Sequence, residues 1–181
     1  MTGLGRLVCF STYISNLYRL SQNAFNRKIL KFMKLHKMSE QSMPVITKKI
    51  QIKSKSENDI LDITDKVSEV VKQSKIENGA IILFVIGSTA AITTIEYEPG
   101  LRKDFPEMLS RLAPREIEYA HDNTWHDGNG HSHVRASLIG PSLAIPLIEG
   151  HLTLGTWQQI VLIELDTRPR ERKIILQVMG E

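Results

Sequence analysis

A continuous apolar segment of seven residues, 80–86, constrains the fold of this chain more than any other stretch. Gly79 and Gly87 bound it, and a short apolar run between such residues is typical of a buried strand. We therefore predict that residues 80–86 form a buried central strand, around which the rest of the core is arranged.

The periodicity on either side of this strand predicts five further strands and two helices. Alternating or β-branched segments predict strands over 45–53, 90–97, 142–147, 160–165 and 173–178. A first helix is capped by Asp62 or Thr64 and ends at Asn78 and Gly79, and a second spans 101–112 before Pro114. Because strands and helices do not alternate as βαβ units, we expect a single-domain α+β fold, with helices packed on one face of a mixed, largely antiparallel sheet.

Charge separates the first residues from the remainder. Residues 1–37 contain seven Lys and Arg side chains and no Asp or Glu, within a chain of net charge +3. Such an arm has three interpretations: a mitochondrial transit peptide, an arm that touches membrane or RNA, or sequence that precedes a later start at Met33, Met38 or Met43. Regular periodicity begins only after Met43, which favours the third. We thus divide the chain into a basic, disordered or mis-started extension, 1–42, and a domain, 43–181.

Composition excludes several classes of protein. Cys9 is the single cysteine, so neither a disulfide framework nor a thiolate zinc site is available. No apolar run approaches 18 residues, which argues against a membrane span. The remainder of the chain carries no excess of basic residues, so no nucleic-acid partner is expected. We expect a cytoplasmic protein.

Four of the six histidines lie within residues 121–133, HDNTWHDGNGHSH. Neutral imidazole is a frequent metal ligand, and Gly128 and Gly130 leave the backbone free to bring several rings together. We predict a loop that holds a metal ion or a phosphate group. The alternative is an exposed polar loop in which the histidines have no ligand.

Several motifs together resemble one family. They are Ser88–Thr93 with Glu96, the pair His121–Asp122, the segment His133–Leu143, the box Gly155-Thr156-Trp157-Gln158-Gln159, and the ending Gln177–Glu181. In this combination the chain from about Met43 to Glu181 resembles the YjbQ-like family, often labelled the secondary thiamine-phosphate synthase family.

The resemblance implies both an architecture and an activity. Members are similar small α+β proteins that pack as trimers, so a homotrimer with its site near a subunit boundary is expected. Some members are credited with a weak thiamine-phosphate synthase activity, a transferase reaction that joins a pyrimidine diphosphate to a thiazole phosphate and expels pyrophosphate. Such a reaction requires donors around the departing phosphate oxygens. The competing interpretation is a non-catalytic, metal- or ligand-binding trimeric housekeeping protein.

Candidate site residues follow from these motifs. For a divalent metal such as zinc we predict His121, His131 and His133 as ligands. For catalysis we predict Glu96, His133 and Ser137, and for binding of a phosphorylated substrate Arg135, Ser142, Trp157 and Gln158. Trp157 has an alternative role in a core or subunit interface.

The sequence departs from the family pattern at Gly87. Many relatives have a histidine directly before the stretch that corresponds to residues 88–90, whereas this chain has a glycine there. His126 and His131 are additional to the family's His121 and His133. We therefore expect one of these added rings to occupy the place of the absent one.

Overall fold

The computed structural model describes residues 26–28, 31 and 43–181. Residues 26–28 and 31 are helical, and Met43–Glu181 forms one compact unit. The three interpretations of the N-terminal extension concern residues 1–42, which apart from these four positions lie outside the described residues. No helix within the described part is long and apolar enough to cross a membrane.

Residues 43–181 contain eight strands and four helices. The strands are β1 (Val45–Lys53), β2 (Ile60–Asp62), β3 (Gly79–Ile86), β4 (Ala90–Ile95), β5 (Ser142–Ile148), β6 (His151–Leu152), β7 (Gln159–Glu164) and β8 (Glu171–Gly180). The helices are α1 (Thr64–Ser74), α2 (Leu101–Leu112), α3 (Ala120–Trp125) and α4 (Gly130–Ile139).

The strands form two antiparallel sheets. The larger sheet has the order β1-β8-β3-β5-β6, and the smaller has the order β2-β7-β4. In the larger sheet, β3 pairs with β8 through Leu83 opposite Leu176 and with β5 through Leu83 opposite Leu143. The predicted α+β class is confirmed, and β3 has the central position expected of it.

Two apolar clusters define the layers. The first joins the inner face of the larger sheet to one face of the smaller sheet and to α1. Ile81, Leu83 and Val85 contribute from β3, and Val67 and Val71 from α1. The second cluster covers the other face of the smaller sheet with α2 and α4, through Leu109 and Ala136 among others. The smaller sheet is therefore buried on both faces, and α2 and α4 form an outer layer.

Three local expectations were wrong. The fold has two sheets instead of one, because the chain folds back over the larger sheet between Ile86 and Ala90. Strand β3 is buried on only one face, since Ile82, Phe84 and Ile86 are exposed. Helix α1 ends earlier than predicted, at Lys75, which adopts the left-handed conformation with φ 58°.

The histidine-rich segment is helical, whereas we predicted a loop. It forms α3 and α4, joined by a short connection that starts at His126 in the left-handed conformation, φ 55°. Two contacts hold the connection closed: the backbone N–H of Gly130 donates to Asp122 Oδ1 at 2.9 Å, and the face of Gly130 lies against Tyr119. A Cβ at position 130 would lie 2.4 Å from Tyr119 Cβ, so the helices can approach this closely only with glycine there.

Candidate functional site

The two helices bring His121 and His133 together. Their ring centroids are 4.3 Å apart and the ring planes are inclined by 43°. His121 lies at the second position of α3 and His133 one turn into α4, and both side chains are half-buried. Of the four clustered histidines, these two therefore form a pair, which we call the imidazole pair.

The imidazole pair contains an unpartnered polar atom. Nε2 of His121 is buried and forms no hydrogen bond with any residue in the described ranges. The nearest carboxylate, Asp127, has its Oδ1 atom 3.6 Å away, beyond hydrogen-bond distance. A buried ring nitrogen without a partner is costly, so this atom is a natural contact point for a ligand.

The protonation of His133 is biased toward the neutral ring. Burial and the neighbouring His121 lower the pKa of His133, while the charges of Asp127, Asp166 and Asp122 act in the opposite direction. Burial disfavours the charged imidazolium, and a second ring nearby adds repulsion when both are protonated. His133 is therefore neutral at pH 7 and able to accept a proton.

His131 belongs to a different cluster. Its ring is fully buried, its Nε2–H donates to Glu57 Oε1 at 3.0 Å, and its ring centroid is 6.3 Å from that of Tyr119. On a helix, residues two positions apart point about 200° apart, so His131 and His133 face opposite sides of α4. The three predicted metal ligands consequently do not converge on one point.

The residues present do not fit the predicted metal site. Within residues 26–28, 31 and 43–181, no group of three or more His, Cys, Asp or Glu side chains is arranged to hold a metal ion. The metal chemistry that we expected from a three-histidine ligand set is therefore not built into this arrangement.

Arg135 lies in the same cluster as His131. Its side chain is 2% exposed, its Nε donates to the carbonyl of Ala113 at 3.0 Å, and its Nη1 donates to Glu57 Oε1 at 3.0 Å. Arg115 approaches the other oxygen of Glu57 at 3.3 Å. Two of the Arg135 nitrogens are thus engaged in internal contacts, instead of being directed toward a substrate as we predicted.

Neither Glu96 nor Ser137 forms a side-chain hydrogen bond with a ring of the imidazole pair among the described residues. Glu96 is exposed beyond the C-terminal end of β4 and forms no side-chain hydrogen bond with a described residue. The Ser137 hydroxyl donates to the carbonyl of His133 at 2.8 Å, a contact within one turn of α4. Of the three predicted catalytic residues, His133 is the one that belongs to the imidazole pair, and Ser137 lies one turn after it on the same face of α4.

The predicted binding residues of the later strands are exposed and scattered. Ser142 is exposed at the start of β5, and Trp157 is 71% exposed. The Gln158 side chain closes a turn, because its Oε1 accepts from the N–H of Gly155 at 3.1 Å and its Nε2 donates to Thr94 at 2.9 Å. Trp157 is therefore not part of the core within this subunit, and its role as a pocket wall stays a prediction.

A buried ionic network joins the end of β7 to the start of β8, and we did not predict it from the sequence. Arg172 pairs with Glu164, Arg170 pairs with Asp166, and the Thr89 hydroxyl joins the two pairs. Burial alone would raise the pKa of Asp166, but hydrogen bonds from Thr89 and Arg170 and the charges of both arginines hold it below its usual value. Charged residues next to the apolar segment 160–163 were the available signal.

Within residues 43–181, no imidazole takes the place of the ring that is absent at Gly87. In that range only Arg172 has side-chain atoms within 4 Å of the position that a Cβ of Gly87 would take, with Nη1 at 2.9 Å. His126 is an exposed helix-terminal residue, and His131 contacts Glu57. The expectation that one of these rings fills the vacant place was therefore wrong, and a guanidinium lies there instead.

Comparison with known proteins gives a consistent match. The family model described as UPF0047 protein YjbQ-like matches residues 48–181. A UPF0047 protein of Methanothermobacter thermautotrophicus is 39% identical over 139 residues, which cover 77% of this chain and 95% of the relative. The UPF0047 protein YugU of Bacillus subtilis is 33% identical over 134 residues, 74% of this chain and 98% of the relative.

Solved structures match over the same region. A YbjQ-like protein of unknown function from Sulfolobus solfataricus has a TM-score of 0.72 at 36% identity, and the match covers 77% of this chain and all of that one, 100%. A hypothetical protein from Aeropyrum pernix has a TM-score of 0.69 at 34% identity, with 75% of this chain and 99% of that one covered.

Proposed function

The chain belongs to the YjbQ-like UPF0047 family, and on that premise we propose that it acts on a phosphorylated small molecule held by the imidazole pair. The observation that carries the proposal is the buried, unpartnered Nε2 of His121 beside the ring of His133. A phosphoryl oxygen accepts hydrogen bonds from imidazole N–H groups, and its negative charge would compensate for protonation of either ring.

The pair has suitable chemistry for both binding and proton transfer. Because the pKa of His133 is lowered, its ring is neutral before a ligand arrives. An anionic phosphate placed beside it would raise that pKa and favour the protonated form, which then donates to the phosphate. A ring that changes protonation in this way is suited to act as a general acid toward a leaving oxygen.

The transferase reaction that we propose is of the thiamine-phosphate synthase type, as the family resemblance suggests. In that reaction a protonated imidazole would stabilise the departing phosphate oxygens. A specific observation favours the alternative, a non-catalytic ligand-binding protein: the Glu96 side chain forms no hydrogen bond with a described residue, and the Ser137 hydroxyl is engaged with the carbonyl of His133 instead of either ring.

Phosphate binding tests the proposal directly. We expect the full-length protein to bind inorganic phosphate in a calorimetric titration, and H133Q and H121Q each to weaken the affinity by roughly tenfold or more, as the loss of a hydrogen bond to a charged group predicts. H151Q is the matched control, because His151 lies in β6 and its Nδ1 contacts the carbonyl of Glu149.

Two outcomes would change the conclusion. If wild type binds no phosphate, or if H133Q and H121Q bind it as tightly as wild type, the proposed site is wrong. A synthase assay on the same preparations then separates the two functions: product formation that H133Q abolishes indicates the enzyme, and phosphate binding without product indicates the binding protein.

We also propose a homotrimer, which the exposed face of the larger sheet supports. Ile82, Phe84 and Ile86 form an apolar row on the outer side of β3, with Phe84 45% exposed. Ile175 of β8 lies opposite Phe84 and is only half-buried. An apolar face on a central strand is the kind of surface that subunit contacts cover.

A further inference from the structure

Arg172 is a nearly buried arginine with one end of its guanidinium fully engaged. Its side chain is 8% exposed. Nε donates to Glu164 Oε2 at 2.8 Å, and Nη2 donates to the other oxygen of Glu164 and to the carbonyl and hydroxyl oxygens of Thr89. These contacts fix the plane of the guanidinium and leave Nη1 on its opposite edge.

Nη1 is the guanidinium nitrogen that takes part in none of these contacts. It forms no hydrogen bond with any residue that the structure describes, and it is not among the buried unpartnered atoms there, so it retains contact with solvent. A Cβ on Gly87 would lie 2.9 Å from Nη1 and would cover it. Glycine at position 87, with φ +139°, therefore keeps two N–H donors of a rigid guanidinium accessible.

The exposed nitrogen lies in the neighbourhood of the imidazole pair. Asp166 accepts a hydrogen bond from Thr89 and has its Oδ2 atom 3.9 Å from Arg172 Nη2. The helix that carries His133 packs on the strand that follows Gly87, because Ala136 of α4 and Ala91 of β4 lie in one apolar cluster and the N–H of Ile92 donates to the carbonyl of Gly140 at 3.2 Å. The charge of Asp166 also acts to raise the pKa of His133, against the effect of burial.

We propose that Nη1 of Arg172, uncovered by Gly87, is a second oxyanion subsite, which binds a carboxylate or phosphoryl oxygen of the ligand whose phosphate contacts the imidazole pair. This inference rests on the proposed function. The positive charges of Arg170 and Arg172 are balanced by the negative charges of Glu164 and Asp166. The subsite therefore selects its ligand by directional hydrogen bonds from a fixed donor, with little net attraction for anions in general.

Paired ligands with one and two oxyanions test the subsite on the full-length protein. The probes are phosphonoacetate and 3-phosphonopropionate, compared with methylphosphonate and ethylphosphonate, which lack the carboxylate. In wild type, the carboxylate-bearing probe that fits better should bind roughly tenfold more tightly than the alkylphosphonate that lacks the carboxylate. That gain is the effect of one charge-assisted hydrogen bond. In G87A and R172K this gain disappears, while affinity for the simple alkylphosphonates stays unchanged.

The two variants remove the donor in different ways. G87A covers Nη1 and leaves Arg172 in place, whereas R172K keeps a positive charge beside Glu164 but has no second nitrogen to reach Gly87. G150A is the matched control for backbone strain, because Gly150 also has positive φ, +73°, and nothing lies within 4 Å of its added Cβ. We expect G150A to keep the wild-type gain, and thermal melting of all variants confirms that they are folded.

The results separate this inference from the proposed function. If wild type shows no gain from either carboxylate, or if G87A and R172K both keep the full gain, the Arg172 subsite is overturned. The role of the imidazole pair depends on a different result, the loss of alkylphosphonate affinity in H133Q.

Discussion

His133 connects the stability of the domain to pH. Burial and His121 hold its pKa below the usual value of about 6.5. Because the unfolded chain binds the proton more tightly than the folded one, His133 contributes stability that is complete above the unfolded pKa. That contribution is lost as pH falls through the lower folded pKa.

We therefore expect the melting temperature of wild type to decrease between pH 7.5 and pH 5 more steeply than that of H133Q. Thermal unfolding followed by circular dichroism across that range measures the difference. H151Q should retain the wild-type slope, because His151 is exposed. Parallel curves for wild type and H133Q would contradict this explanation.

The sequence predicts only some of the residues of the site. His121 and His133 could be identified, because the family motifs include both and the density of rings marks the segment. His131 was assigned to the same site, since its placement depends on whether residues 130–133 are extended or helical. Arg172 and Gly87 could not be associated, because 85 positions of chain separate the glycine from the guanidinium that lies beside it.

At the scale of elements, one buried side chain fixes the helix that carries His133. Arg135 ties α4 to the segment after α2 through Ala113 and to the connection between β1 and β2 through Glu57. His131 adds a second contact to the same carboxylate. Glu57 is 14% exposed, and a largely buried carboxylate that loses its main cation is destabilising, because most of the remaining charge stays out of water.

R135A should consequently lower the free energy of unfolding by about 3 kcal/mol. For a domain of this size that corresponds to a decrease of roughly 10 °C in melting temperature. R115A is the control, because the Arg115 side chain is 59% exposed and an exposed pair contributes less than about 1 kcal/mol. Equal melting temperatures for R135A and R115A would show that the buried cluster does not hold α4.

The elements differ in how well local sequence predicts them. Helix α2 spans Leu101–Leu112 as predicted, because its apolar stripe and the following Pro114 are both local signals. Helix α3 has six residues and no apolar stripe of its own, so it is too short to be stable alone. It forms because Asp122 and Tyr119 contact Gly130, and contacts of this kind do not appear as periodicity.

For the whole molecule, the alternation of apolar and polar residues predicts strands that pack in layers, but it does not predict that the strands divide between two sheets. The predicted order of strands leads correctly to an antiparallel α+β domain. The division into two sheets comes where the chain folds back between β3 and β4, and the buried pair Arg172–Glu164 then links β8 of the larger sheet to β7 of the smaller one. The outer face of the larger sheet is left with exposed apolar residues, which no other element of residues 43–181 covers.

We expect this face to form the subunit contact of the proposed homotrimer. Light scattering after size exclusion should give wild type a mass of about three times the 20.5 kDa chain. F84E places a charge at the centre of the apolar row, and an unpaired charge in a buried interface is strongly unfavourable. The variant should therefore elute as a folded monomer, whereas L112E, at a 64% exposed position at the end of α2, should remain assembled. A monomeric wild type, or an F84E variant of unchanged mass, would show that the apolar row is not the contact.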